Sequence, residues 1–265
     1  MEGDPSLRSV SAGGVFCGLK NKTREENGRW WHTRKWLVQT GFWLLLINGV
    51  SLAALFQLRQ GADFSLDEMV GVFTGLMGWM VAFGVIILTQ SDVVEEKQSG
   101  TAEWVLSAPL SRSSFILSKV LVSLAWLFAL VVALQCVVFS LVMIAFNVGV
   151  IPLSGLLLGI GLQGLALAFW LSLSIMLGTF FKSRSPVIGV PLVFLFLQRL
   201  VPTLFGSASA SISLALPERL PEYSANALMG SALPSGVPIV VLGVACITFV
   251  VLSIIRFSRE EFSGS

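Results

Sequence analysis

Long apolar runs separated by short polar connections make up most of this chain, and six of the runs are long enough to cross a bilayer. A membrane-spanning helix needs about 20 mainly apolar residues. The qualifying runs are 36–57, 69–89, 120–146, 153–181, 187–205 and 237–255. The third and fourth exceed the minimum, so they must tilt or project beyond the hydrocarbon. Only a short turn around Asn147, Gly149 and Pro152 separates them, which predicts an antiparallel helical hairpin. Within lipid, backbone groups must be satisfied inside each segment. The expected fold is therefore all-α and polytopic, with six transmembrane helices. Gly155 and Gly159 open the fourth run with a spacing that lets helix backbones approach closely, and Pro191 predicts a kink in the fifth.

Composition narrows the class. Hydrophobic residues make up 55% of the chain and charged residues 12%, against about 25% charged in a soluble domain. A soluble enzyme with an ordinary surface is excluded, and so is a disordered chain, which needs low hydrophobicity and high net charge. A net charge of +2 is too small to suggest nucleic acid as a partner.

Placement of the charges says more. Arg8, Lys20, Lys22, Arg24, Arg29, Arg34, Lys35, Lys97, Arg112, Lys119, Lys182, Arg184, Arg256 and Arg259 fall on one side of the expected topology. Only Arg59, Arg199 and Arg219 fall with the opposite loops. The positive-inside bias puts both termini in the cytoplasm, and the expected location is the cell (inner, cytoplasmic) membrane. No early apolar segment of the signal-peptide kind is present, so a cleaved leader is not expected. Trp30, Trp31 and Trp36 interleave with Arg29, Arg34 and Lys35, which predicts an interfacial helix before the first span. The layout is a cytoplasmic extension and interfacial helix at 1–35, a six-helix domain at 36–256 with a long loop at 90–119 and an exterior segment at 203–236, and a tail at 257–265.

Candidate chemistry is sparse. The inner parts of the expected spans carry no ionisable side chain, which argues against ion-coupled transport and against an intramembrane hydrolase needing a His or Asp base. Gln39, Asn48, Gln135, Gln163, Ser172 and Ser174 are expected to hydrogen-bond between helices. Cys17, Cys136 and Cys246 have no metal or disulfide spacing, and no metal site is expected.

The loop 90–119, QSDVVEEKQSGTAEWVLSAPLSRSSFILSK, is too long for a helix–helix connector of about 2–8 residues. Asp92 with Glu95 reads as a helix start, and Glu95, Glu96 and Lys97 read as solvent-facing. Thr101, Trp104 and Val105 share a face by spacing. The pattern predicts a helix over about 92–106, ended by Pro109, with Ser111 capping the next helix.

Glu96-Lys97-x-x-Gly100-Thr101-x-Glu103-x-x-Leu106-x-x-Pro109-x-x-Arg112, followed by Lys119, resembles the loop after the second span of type-2 ABC-transporter permeases. Leu177-Gly178 and Phe181-Lys182-Ser183-Arg184 are similar to the end of that family's fourth span, and 217–230 to its outer segment. The resemblance implies a transmembrane subunit of an ATP-driven transporter, commonly an exporter, working as a homo- or heterodimer of permeases with separate ABC ATPase subunits. It implies that Glu96, Gly100, Thr101 and Glu103, supported by Arg112, couple the permease to the ATPase. The chain has no G-x-x-x-x-G-K-[ST] run, so ATP would be bound by the partner; no cofactor and no enzymatic activity of its own are expected. Two other readings stand beside it: a polytopic enzyme acting on lipid, for which Asp92, Glu95, Glu96 and Glu103 are the only dense acidic group, and a non-transporting anchor subunit.

Overall fold

The computed structural model describes residues 16–32, 35–58, 65–90, 93–99, 110–205 and 214–259. Every regular element among them is helical. In chain order these are α1 (Leu19–His32), α2 (35–58), α3 (Leu66–Thr89), α4 (Val94–Gln98), α5 (Arg112–Ala145), α6 (Leu153–Phe180), α7 (Arg184–Phe205), α8 (Arg219–Leu228) and α9 (Val237–Ser258). Five of them, α2, α3, α5, α6 and α9, are long and apolar enough to cross a membrane. The fifth expected run, 187–205, lies within α7, which continues through Pro191.

Local sequence explains the boundaries. Ser65 accepts a hydrogen bond from the Glu68 backbone N–H, and the Glu68 carboxylate accepts one from the Ser65 N–H. This reciprocal cap satisfies two of the donors that a helix start leaves open. Ser111 caps α5 by accepting from the Ser114 N–H at 3.1 Å. Asn147 turns the chain between α5 and α6 with φ of 56°, a conformation in which Asn is enriched.

The middle of the bundle is α6, which packs against α3, α5, α7, α8 and α9. It is apolar all round, with most of its length buried and Leu153, Leu157 and Leu158 exposed near its start. Outer faces of α2 and α9 expose Val38, Leu45, Val240 and Ile247. Two helices are locally wound as π turns, α2 at Leu44–Asn48 and α5 at Phe128–Ala133. The buried Asn48 donates from Nδ2 to Gln135 Oε1 at 2.6 Å, and Gln135 Nε2 donates to the Leu130 carbonyl inside the π turn of α5 at 2.9 Å. These two amides hydrogen-bond as the sequence suggests. Gln163 and Ser174 do not: both are buried without a hydrogen-bond partner. Ser172 bonds back to Phe169 in its own helix.

Between α3 and α6 sits the short helix α8. Its Pro221 lies against Gly78 of α3, and the Ala227 carbonyl lies against Gly155 of α6 so closely that a Cβ there would overlap it. A Cβ on Gly159 would stand 2.9 Å from the Leu228 side chain, and Ser224 Oγ donates to the Gly159 carbonyl at 3.2 Å. The two glycines thus seat α8 against α6. Gly161, two residues beyond Gly159 on the opposite face of the helix, has nothing within 4 Å of a Cβ position. Gly155→Val should lower stability by about 1–3 kcal/mol, the usual cost of overpacking, whereas Gly161→Val should stay within about 0.5 kcal/mol. Thermal unfolding of the purified variants in a neutral detergent measures the difference, and equal melting would remove the glycine seat.

Candidate functional site

One end of the bundle, where α5 and α7 begin and α9 ends, carries a dense set of ion pairs. Its base is the packing of α1 along the first turns of α5. On α1, Lys22, Glu25, Glu26 and Arg29 lie three and four residues apart and so share a face. Lys22 Nζ reaches Glu25 at 3.1 Å and Glu26 at 3.4 Å, while Arg29 reaches Glu25 at 3.2 Å and Glu26 at 3.5 Å. From α5, Lys119 comes within 3.4 Å of Glu26. Phe115 forms an aromatic floor, with Lys119 5.2 Å and Lys22 5.8 Å from its ring centre, and stacks on Phe257 of α9 at 5.0 Å.

Into this cluster α4 delivers Glu96. Its Oε1 receives Arg29 Nη1 at 2.8 Å and Lys119 Nζ at 3.0 Å. Both Glu96, 8% exposed, and Lys119, 4% exposed, are buried. The expected solvent-facing placement of Glu96 is therefore corrected. A carboxylate at this depth persists because two cations compensate its lost hydration. For Arg29, burial alone would lower the pKa, but the hydrogen bond to Glu96 and the charges of Glu26, Glu96 and Glu25 outweigh it and raise the pKa.

The neighbours of Glu96 spread the tie outward. Glu95 pairs with Arg184 of α7, Lys97 Nζ donates to the Thr179 carbonyl of α6 at 3.0 Å, and Gln98 Nε2 donates to the Lys182 carbonyl at 2.7 Å. Val93 packs 3.2 Å from where a Cβ on Gly178 would stand, so a small residue there admits the loop against α6. Arg112 donates to the Ser258 carbonyl of α9 at 2.6 Å, and the Ser111 N–H donates to the Cys17 carbonyl at 3.1 Å. Four consecutive side chains, Glu95 to Gln98, thereby engage α1, α5, α6, α7 and the connection between the last two.

Of the residues singled out in the sequence, Glu96 and Arg112 meet in this region. Gly100, Thr101, Glu103 and Asp92 lie outside the described residues, as does most of the expected helix 92–106. Of that stretch 93–99 is described, with a helix at Val94–Gln98 whose N-terminal flank Val93 makes no side-chain cap. Sequence reasoning passed over Lys22, Glu26 and Arg29; their shared helical face was the available signal. Beyond the first turn of that face, Trp30 stacks on Trp126 with ring centres 5.8 Å apart, and Trp126 Nε1 donates to Asn27 at 2.8 Å. A helix thus precedes the first span and packs on α5. Among the described residues no group of three or more His, Cys, Asp and Glu is placed to hold a metal ion.

Arg199, which the sequence groups with the loops, lies inside the helix α7, and its guanidinium carbon stands 4.6 Å from the centre of the Trp79 ring in α3.

Fold and site together define a multi-pass, all-helical integral membrane protein with an ionic cross-link at one end of its bundle. The chain belongs to DUF2705, a family of proteins of unknown function whose model matches residues 37–263. No curated protein matches it.

If the cross-link works as a unit, Glu96→Gln and Lys119→Met should each destabilise the protein by about 3–5 kcal/mol, the cost of leaving one partner of a buried pair uncompensated. The double variant should lose less than the sum of the two, by a coupling of about 0.5–3 kcal/mol. Unfolding of all three in neutral detergent reads the cycle, and strict additivity would show that the two side chains act separately.

Proposed function

We propose that this protein is the transmembrane permease subunit of an ABC transporter, most simply an exporter, driven by ATP hydrolysed on a separate subunit. The observation that carries the reading is the engagement of Glu95, Glu96, Lys97 and Gln98 with α1, α5, α6 and α7. A force applied to the loop that follows these residues reaches several helices at once. Coupling of this kind requires two global states and an element that both ends bias.

In this reading α7 is the sixth span and both termini are cytoplasmic, in keeping with the Lys and Arg distribution. Helix α5 has 34 residues, or about 51 Å at 1.5 Å per residue, against a hydrocarbon core of about 30 Å. Its first turns then project into the cytoplasm with α1 alongside, which puts the charged cluster outside the lipid. The projecting end is the docking surface for the ATPase, and 100–109 is the segment that touches it, with Gly100, Thr101 and Glu103 at the contact and Arg112 bracing the loop against α9. The working unit is a dimer of permeases with two ATPases. A lipid-directed enzyme is the weaker reading, because Glu95 and Glu96 are held by Arg184, Arg29 and Lys119 and are poor candidates for metal or proton chemistry.

The test is affinity purification of the tagged protein from native membranes in mild detergent, with mass spectrometry of what accompanies it. An ATPase with a phosphate-binding loop should co-purify, and Gly100→Trp and Glu103→Ala should reduce its recovery about tenfold or more, the effect of losing roughly 1.4 kcal/mol. Recovery of the membrane protein without any ATPase would overturn the proposal.

A further inference from the structure

Arg199 sits where a cation needs an explanation. Its guanidinium covers Trp79, which lies midway along the apolar stretch 69–89 of α3, about 15 Å from either end at 1.5 Å per residue. Arg199 is exposed on the side of the bundle, not enclosed. A cation set against the apolar stretch of a membrane helix is rare and functional.

The surroundings leave that charge available. Arg219 is paired with Glu222 at 2.8 Å. Glu218 acts on Arg199 electrostatically but does not come within ion-pair distance of it. Burial raises the Glu218 carboxyl pKa against the pull of Arg199 and Arg219, which weakens it as a counter-ion. Beside the cation stands an aromatic wall: Trp79 stacks on Phe83 with centres 5.8 Å apart, and Phe196, 53% exposed, packs 5.6 Å from Trp79. Pro221 of α8, against Gly78, keeps the polar turn 218–222 at the same level.

We infer that the face between α3 and α7 is a binding site for an amphipathic anion, with Arg199 taking the anionic group and Trp79, Phe83 and Phe196 taking the apolar chain. The guanidinium presents several donors to a phosphate or carboxylate, and the ring beneath it holds it in place through a cation–π contact. The site's use for a transported substrate rests on the transporter reading; binding itself does not, and it can be measured without an ATPase.

The test uses the full chain in phosphatidylcholine nanodiscs with radiolabelled dodecyl phosphate as probe. Saturable binding is expected, weakened about tenfold or more by Arg199→Gln, the scale of one charge-assisted hydrogen bond, and weakened less by Arg199→Lys, which keeps the charge but loses the planar donor fork. Trp79→Leu should also weaken it. In the unaltered protein, dodecyl maltoside and inorganic phosphate should each bind about tenfold less tightly than dodecyl phosphate, a ranking that decides the matter even if a variant fails to fold. Unchanged affinity in Arg199→Gln, no saturable binding, or equal affinity for the neutral chain or for phosphate alone would overturn the inference. A transporter without this site would still bring down its ATPase, so the two readings fail separately.

Discussion

A carboxylate taken out of water must be compensated by other charges, and at Glu96 the compensation comes from two different helices. Arg29 belongs to the helix before the first span and Lys119 to the long helix α5. Neither cation can withdraw without leaving charge stranded in a place of low polarity. The short helix α4 is therefore held at a fixed position against α1 and α5, and its other side chains fall on α6 and α7 as a consequence. A five-residue helix has little stability of its own; here it draws its order from what it binds.

The opposite half of the bundle is organised by close approach instead of charge. Helix α8 buries Leu220, Pro221, Tyr223 and Leu228, and it gains its place by setting Pro221, Leu228 and the Ala227 carbonyl against positions that lack a Cβ. Gly78, Gly155 and Gly159 belong to two different helices, so the same short segment fixes the spacing of α3 from α6. The α6 surface that receives it is continuous with the one that packs α9 and α3.

Helical class and the positions of the long apolar runs were legible in the sequence, because lipid imposes length and apolarity on each segment independently of its neighbours. Ser111 as a cap and the Asn147 turn were legible for a similar reason: each is decided within a few residues. Burial of Glu96 was not, since Arg29 stands 67 residues away in sequence and a glutamate in a charged run ordinarily faces water. The contact of Arg199 with Trp79 was not legible either, since the two residues stand on different helices far apart in sequence. Glu96 and Lys119 of the loop motif join an ion-pair cluster whose other members, Lys22, Glu26 and Arg29, precede the first span.

The π turns in α2 and α5 carry a consequence for motion. A π turn is an α-helix with one surplus residue. Handing that surplus along the helix by a turn rotates the segment it passes by about 100°, one residue's share of a 3.6-residue turn, with each backbone group exchanging one partner for another. The Asn48–Gln135 hydrogen bond lies at or beside both surpluses, so moving either one along its helix must first break that bond.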